Sequence, residues 1–468
     1  MKETRKNYET VVIVAPNTMA YRMVTESKIF TLLHQKGVKK IFLLGHRMDV
    51  LTDLPEYVEW RSAFEPEPDS APSVASRVLR SIQIRIRKVL GWDFANLAYR
   101  FNEIHGFRSH QIKKCMPPKR RQREALAGNY ADPRYARLFP RSKYLYQLLY
   151  RICYSLWFLP HPPIRRFFDK NHIDRVVLWH VQSPLYVDYS WCVRVKGIIA
   201  TGVLGSWDRP TTKGPICPGI SHYIVNSMLM EKELMQFHGV DQAHISVVGW
   251  PHLDVYKQTE TYMSEEQFRQ QAGLTSEERF ILFAANSSRL GKHEPDIIAS
   301  LAQAIDQRRF GENIRLLVRP HPADNEWQER FQSTRKYQCV SLMPAEMGNI
   351  SWLANLLNFA KVLVAIQGSI SLDAIALDTP AINLAFDNST SSDSSESIKR
   401  LYEMDHYQPV IDSGGVRLVH DEEELYQAIE EYLENPEKDA QGREKLRKWQ
   451  FGPFDGRSSE WAVKAILE

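Results

Sequence analysis

Residues 359–384, FAKVLVAIQGSISLDAIALDTPAINL, decide the fold. The apolar run Phe359 to Ile366 reads as a buried strand. It ends in Gln367-Gly368-Ser369-Ile370-Ser371, a small, glycine-containing turn, and a helix follows from Leu372 to Leu377. Asp378-Thr379-Pro380 then opens the next strand, Ala381 to Leu384. Strand, turn, helix and strand in so few residues is the grammar of a parallel sheet with crossover helices. The turn leaves backbone N–H groups free at the positive end of a helix, a favourable place for a phosphate. Gln367, Gly368, Ser369 and Ser371 are therefore candidate ligands of an anionic group. Asp373, one turn in, is placed to accept from ribose hydroxyls, although an Asp there also favours the helix without any ligand.

Upstream, Leu316-Leu317-Val318 is a short strand running into Arg319-Pro320-His321-Pro322. The two prolines restrict the backbone on both sides of His321. A braced turn of this kind presents a guanidinium fork and an imidazole to an anion such as a diphosphate. Before it, strand Arg279 to Ala284 ends in Ala285-Asn286-Ser287-Ser288, so Asn286 and Ser287 join the candidate donor ligands. Helices are expected over Glu265 to Ala272 and Asp296 to Arg308, and a strand over Asn313 to Val318. Asp421-Glu422-Glu423-Glu424 reads as a helix N-terminus, where negative charge meets the dipole favourably.

The N-terminal half repeats this grammar. Val11 to Val14, a helix through Leu33 and Lys40 to Leu44 form a first βαβ unit. Asp174 to His180, Ile198 to Leu204 and His222 to Val225 continue the sheet. The apolar run Val195 to Leu204 reads as a buried strand leading into Ser206-Trp207-Asp208-Arg209-Pro210-Thr211-Thr212-Lys213-Gly214. Pro210 and Gly214 make this a loop at a strand's C-terminal end, the edge where ligands bind in open α/β sheets. Trp207, Arg209, Thr211, Thr212 and Lys213 are candidate cleft or acceptor contacts. General base work needs a carboxylate or imidazole near a hydroxyl. Asp208 is the first choice and His180 the second, with His321 a further catalytic candidate beside the donor.

With 468 residues, of which 43% are hydrophobic, two globular domains are expected. Five scattered cysteines without C-x-x-C spacing indicate neither a disulfide framework nor a zinc site. The N-terminus lacks an apolar signal segment, so a cytoplasmic location is expected. Net charge is +4, unevenly spread: between Arg77 and Lys143 stand 17 Lys or Arg against 4 Asp or Glu. Residues 63 to 143 read as an irregular basic insertion, followed by an aromatic segment from Tyr144 to Pro160. Basic residues beside an amphipathic aromatic segment suit an anionic membrane face, such as the inner face of the plasma membrane. A solvated insertion beside a core helix fits the same residues. No nucleic-acid module accompanies the patch, so nucleic acid is not an expected partner. Asn388 to Glu396 is rich in Ser and Asp and reads as a loop. G-x-G-x-x-G, the P-loop motif and D-x-D do not occur, which removes the main support for dinucleotide oxidoreductases and P-loop NTPases and implies no metal.

Taken together, these segments resemble the GT-B fold of nucleotide-sugar-dependent transferases. The likeness is strongest to CDP-glycerol glycerophosphotransferases and their glycosyltransferase relatives. It rests on S-W-D-x-x-T-x-K-G at 206–214, R-x-H-P at 319–322, S-x-x-x-D-A at 369–374 followed by Pro380-Ala381-Ile382, Gly249-Trp250-Pro251-His252-Leu253-Asp254, and Asp455-Gly456-Arg457-Ser458-Ser459. It spans roughly residues 195–468. The W-H-G-T-P-x-K segment usual in the glycerophosphotransferases is missing, which favours glycosyl transfer. The resemblance implies two Rossmann-like domains facing across a cleft. Residues 1–255 would form an acceptor domain carrying the insertion at 63–160, and residues 256–468 a nucleotide-donor domain whose last helix crosses back. It further implies a metal-independent transferase that needs no cofactor and moves a sugar from a UDP-, CDP- or GDP-linked donor to a cell-surface glycan or glycolipid, in polysaccharide biosynthesis. A CDP-polyol phosphotransferase, an enzyme of the UDP-N-acetylglucosamine 2-epimerase type and a non-catalytic basic scaffold remain open alternatives.

Overall fold

The computed structural model describes residues 8–45, 54–67, 74–89, 94–114, 140–155, 161–182, 185–288, 290–322, 324–344, 349–387 and 397–468. The chain divides into two compact units, residues 1–254 with 452–468, and residues 255–451.

In the first unit seven parallel strands lie in the order β3-β2-β1-β4-β5-β6-β7. They are β1 Thr10–Ala15, β2 Lys40–Gly45, β3 Val58–Ser62, β4 Arg175–Trp179, β5 Ile199–Leu204, β6 His222–Val225 and β7 Ile245–Val247. The central strands are continuous runs of Val, Ile and Leu with almost every residue buried, as a sheet covered on both faces requires. The final helix, Ser458–Leu467, buries Ala462, Val463 and Ile466 in this unit's core. Its start explains two sequence motifs at once. The buried carboxylate of Asp254 accepts from the Ser458 and Ser459 backbone N–H groups at 2.8 and 2.7 Å, satisfying donors that a helix N-terminus leaves free.

In the second unit six parallel strands lie in the order β10-β9-β8-β11-β12-β13. They are β8 Arg279–Ala284, β9 Ile314–Arg319, β10 Val340–Leu342, β11 Val362–Ala365, β12 Ala381–Leu384 and β13 Arg417–Val419. Ile281, Phe283, Leu316, Val318, Val364 and Ile382 meet residues of the helices Glu294–Asp306 and Glu422–Glu434 in one core. The helix Glu265–Ala272 carries a full Ser264/Gln267 capping box. Asp421 caps the helix Glu422–Glu434, accepting from Glu424 N at 2.8 Å.

Several sequence expectations need correction. Val195 is not in a strand: the helix Tyr186–Lys196 runs past it and ends at Gly197, whose left-handed backbone (φ 65) stops it before β5. Phe359 closes the helix Ile350–Phe359, leaving β11 only Val362–Ala365. The helix after Gly368 begins at Ser369, three residues earlier than its apolar run suggests. The expected loop at 206–214 contains a helical turn, Arg209–Thr212, with Pro210 in its first turn. The insertion is not irregular where it is described: it forms the helices Val74–Val89, Phe94–His105 and Arg108–Lys114. The basic run Lys119 to Arg123 and the loop Asn388 to Glu396 lie outside the described residues.

Candidate active site

In the first unit the strand order reverses between β1 and β4, and crossover loops part there at the C-terminal edge. His180 follows β4 directly. Its backbone N–H donates to Val203 O at 2.7 Å, and its φ of 65 puts a branched-ring residue in left-handed space, a cost of about 1–2 kcal/mol. Its side chain is 1% exposed, and neither ring nitrogen has a hydrogen-bond partner among the described residues. Burial holds the imidazole well below its ordinary pKa; Arg209, Lys213 and His252 push the same way, and Asp208 opposes them. The ring is therefore neutral at pH 7. A Cβ on Gly205 would stand 2.6 Å from Trp179 Nε1 and 3.2 Å from His180 Cε1, so only glycine lets the next loop pass so near.

That loop is held from three sides. Gln182 Nε2 donates to Arg209 O at 3.0 Å and Gly214 O at 2.9 Å. Asp208 accepts from Ser206 Oγ at 2.5 Å and Thr212 Oγ1 at 3.0 Å, with Lys213 Nζ at 3.8 Å. Two hydroxyl donors leave a carboxylate with further acceptor capacity, and the Asp208 side chain is 24% exposed. The insertion supplies the third side. Ser109 Oγ donates to Thr211 O at 3.0 Å, Tyr150 Oη donates to Ile216 O, and Gly214 lies so close to Ala98 that a Cβ would clash with it at 2.4 Å. Arg209 Nε, Thr211 Oγ1 and Gln182 Oε1 are buried without a partner among the described residues. Trp207 is buried, so its indole serves packing.

In the second unit the order reverses between β8 and β11. Ala284 pairs with both Arg319 and Ala365, so the loops after β8, β9 and β11 leave the sheet at one level. Asn286, Ser287, Arg319, His321, Gln367, Gly368 and Ser369 thus gather at one edge. Asn286 Nδ2 reaches across the reversal to Gln367 O at 3.4 Å. Gln367 N donates to Tyr402 Oη at 2.9 Å, and its side chain lies 3.1 Å from His406 Nε2. Gln367 therefore faces inward, and its backbone shapes the turn. An added Cβ at Gly368 would meet only Ile366 O at 3.7 Å; glycine here leaves the helix N–H groups uncovered and relieves no clash. Ser371 is fully buried and accepts from Asn383 Nδ2 at 2.9 Å, so its hydroxyl ties the helix to β12. Asp373 is half-buried and accepts from Tyr256 Oη at 3.2 Å. Burial first and Asp373 second keep the Tyr256 phenol protonated, while Arg319 pulls the other way. Burial and Arg319 lower the His321 pKa, with Asp324 opposing.

Sequence reasoning missed the network beneath this edge. Arg330 pairs with Glu294 and with Asp324 at 2.5 Å each, and also donates to Asn286 O at 2.9 Å and Gly291 O at 2.5 Å. Glu294 accepts from Asn286 N at 2.9 Å, and Asp324 N donates to His321 O at 2.9 Å. Burial pushes the Glu294 carboxyl up to about 8 against the pull of Arg330. One guanidinium therefore locks the loops that carry Asn286 and His321. Its partners lie 36 and 6 residues away, with no local pattern to betray the longer pairing. Among the described residues, no cluster of three or more His, Cys, Asp or Glu is placed to hold a metal ion.

Two parallel sheets, each with its candidate site where the strand order reverses, define a protein of the GT-B class. Residues 209–468 match the family model described as CDP-Glycerol:Poly(glycerophosphate) glycerophosphotransferase. This is more than half of the chain, and the protein belongs to that family. The match covers the second unit and begins at Arg209, one residue after Asp208. Among solved structures, UDP-GlcNAc 2-epimerase from Methanocaldococcus jannaschii aligns at 13% identity, covering 97% of this chain and 99% of that one, with a TM-score of 0.52. UDP-GlcNAc 2-epimerase from Neisseria meningitidis, bound to UDP-GlcNAc, aligns at 11% identity over 98% and 99%, with a TM-score of 0.51. A glycosyltransferase from Rickettsia africae aligns at 10% identity over 99% of both chains, with a TM-score of 0.50. At such identities the likeness is one of fold. A search of curated proteins found no match. Family membership makes this chain a transferase of the glycosyl- or phosphotransfer type.

Proposed function

We propose that the protein transfers a glycosyl group from a UDP-, CDP- or GDP-linked donor to a hydroxyl of a cell-surface glycan or glycolipid, without a metal. The observation that carries this reading is the convergence of Asn286, Arg319, His321 and the uncovered helix start at Gly368–Ser369 at the ends of three adjacent strands. A guanidinium, a neutral imidazole and free N–H groups suit a diphosphate whose charge grows as the bond to the sugar breaks. Asp373 would hold the ribose, with its orientation set by Tyr256. In the first unit Asp208 would take the acceptor's hydroxyl proton as its oxygen bonds to the sugar carbon, and the nucleoside diphosphate leaves with the electron pair. Asp208 is preferred to His180 because its carboxylate reaches solvent while the imidazole is sealed. His180 would then support the loop as a neutral partner.

The family match favours a second reading, transfer of a polyol phosphate from a CDP-linked donor. The two differ in the leaving group: glycosyl transfer from these donors releases a nucleoside diphosphate, whereas phosphoryl transfer releases CMP. Chromatography of the nucleotides released during turnover separates them. A nucleoside diphosphate formed at full rate in EDTA supports the first reading; CMP supports the second.

A further inference from the structure

The insertion ends in a helix, Lys143–Ser155, whose two faces differ in kind. One face is built into the first unit. Tyr146 Oη donates to Leu97 O at 2.9 Å, Tyr150 Oη donates to Ile216 O, and Tyr154 Oη lies 3.8 Å from Cys217 Sγ. The other face carries Tyr144, Leu145, Leu148 and Ile152, at 88, 46, 56 and 40% exposure. Spacing of three and four residues puts these side chains on one stripe. A soluble helix normally turns such a stripe inward. Exposed Arg141, Lys143 and Arg151 border it, and the helix has no Asp or Glu. The helix Val74–Val89 is likewise rich in exposed apolar side chains: Val74, Val78, Leu79, Ile82 and Ile86 share one side, Ile84 is exposed off that stripe, Arg77 and Arg85 are exposed beside them, Arg80 pairs with Asp188, and the helix itself carries no carboxylate. Among the described residues no helix is long and apolar enough to cross a membrane.

We propose that these two helices lie on an anionic lipid surface, with their apolar stripes in the boundary between headgroups and chains and their cations among the lipid phosphates. Two observations select this occupant over a second protein copy. Neither helix contains an Asp or Glu, so the charges it sets beside its exposed apolar side chains are cationic, which complements a surface of one sign and would repel an identical face. The stripes also stand on helices rather than in a groove, so a flat partner fits them. The helix Lys143–Ser155 holds Ile216 from its inner face, within a few residues of Thr211 and Lys213. Docking would therefore bring the acceptor loop to a membrane-borne acceptor. This last consequence rests on the proposed function; the docking itself does not.

The test is sedimentation of the full chain with vesicles of phosphatidylcholine alone or with a third phosphatidylglycerol, at 50 and 500 mM salt, which needs no catalysis. Binding is expected on the anionic vesicles only and should weaken at high salt. Leu148→Glu should reduce partitioning on the order of tenfold, since an apolar contact is lost and a like charge gained. Arg85→Ala should reduce it about fivefold. Unchanged thermal melting of each variant separates lost docking from lost folding, and Val78→Glu on the other helix gives an independent reading. Equal binding to neutral and anionic vesicles, no binding at low salt, or full binding by both Glu variants would overturn the proposal. Light scattering that shows a dimer dissolved by Leu148→Glu, without vesicle binding, would overturn it too and assign the face to a second copy.

Discussion

The two units share one sheet order at their reversal point but match the buried polar groups there to different degrees. In the second unit the charges beneath the edge are largely matched: Arg330 meets Glu294, Asp324 and two carbonyls, with only its Nε left buried without a partner among the described residues, and each carboxylate also accepts from a backbone N–H. In the first unit the two nitrogens of His180, Arg209 Nε, Thr211 Oγ1 and Gln182 Oε1 are buried and unmatched among the described residues, and His180 adds backbone strain. A satisfied network rigidifies what it supports, while unmatched buried groups and strain concentrate where function demands them. The difference fits the proposed division of labour, with a rigid donor edge and a more adaptable acceptor edge.

Substitutions should therefore act differently on the two sides. The largest effect is expected from Asp208→Asn, with turnover down about a hundredfold to ten-thousandfold and nucleotide affinity unchanged; normal turnover would make Asp208 a loop-bracing residue. Next comes Arg330→Ala. It leaves the buried Asp324 carboxylate without its cation and the Glu294 carboxyl without its donor, and should cost about 3–5 kcal/mol, seen by hydrogen exchange as loosening of the second unit alone. His321→Ala should lower turnover while leaving the melting temperature within a few degrees. A smaller effect is expected from His180→Asn. Asn tolerates left-handed backbone, and the imidazole loses no hydrogen bond, so stability should change by about 1 kcal/mol or less. A loss as large as that of Arg330→Ala would break the comparison.

Acid sharpens the same contrast. His105, His180, His238 and His252 lie in the first unit, and burial lowers all four, His105 and His238 to about 4 and His252 to about 3. Such groups bind protons more readily when unfolded. The stability they contribute is full above their ordinary value near 6.5 and is lost as pH falls toward the folded values. Glu294 has the opposite sign: raised to about 8, it favours folding in acid and loses that contribution as pH rises through 8. Hydrogen exchange between pH 7 and 4 should show the first unit loosening before the second.

Much of this was legible in the sequence. Strands β6 and β8 and the helix Glu265–Ala272 have the boundaries their residues suggest, because unbroken apolar runs and a capping box carry local signals. The positions of Arg319, His321, Asn286 and Gly368 at the sheet edge were legible for the same reason: Arg319 ends an apolar strand and the others follow one within three residues. Arg330 was not, because its partners are set by tertiary packing. Neither was the inward turn of Gln367 and Ser371, which depends on Tyr402, His406 and Asn383. The insertion helix Val74–Val89 escaped because its apolar residues face outward and are interleaved with cations, so its sequence reads as a solvated basic stretch.

The most direct test of the account is calorimetric titration of UDP, CDP, GDP and CMP into the wild-type protein, Arg319→Ala and Asp208→Asn. One nucleoside diphosphate should bind the wild type, bind Arg319→Ala about ten- to a hundredfold more weakly, as loss of a charged hydrogen bond implies, and bind Asp208→Asn unchanged. Failure of every nucleotide to bind, or weakening by Asp208→Asn in place of Arg319→Ala, would contradict a donor site in the second unit.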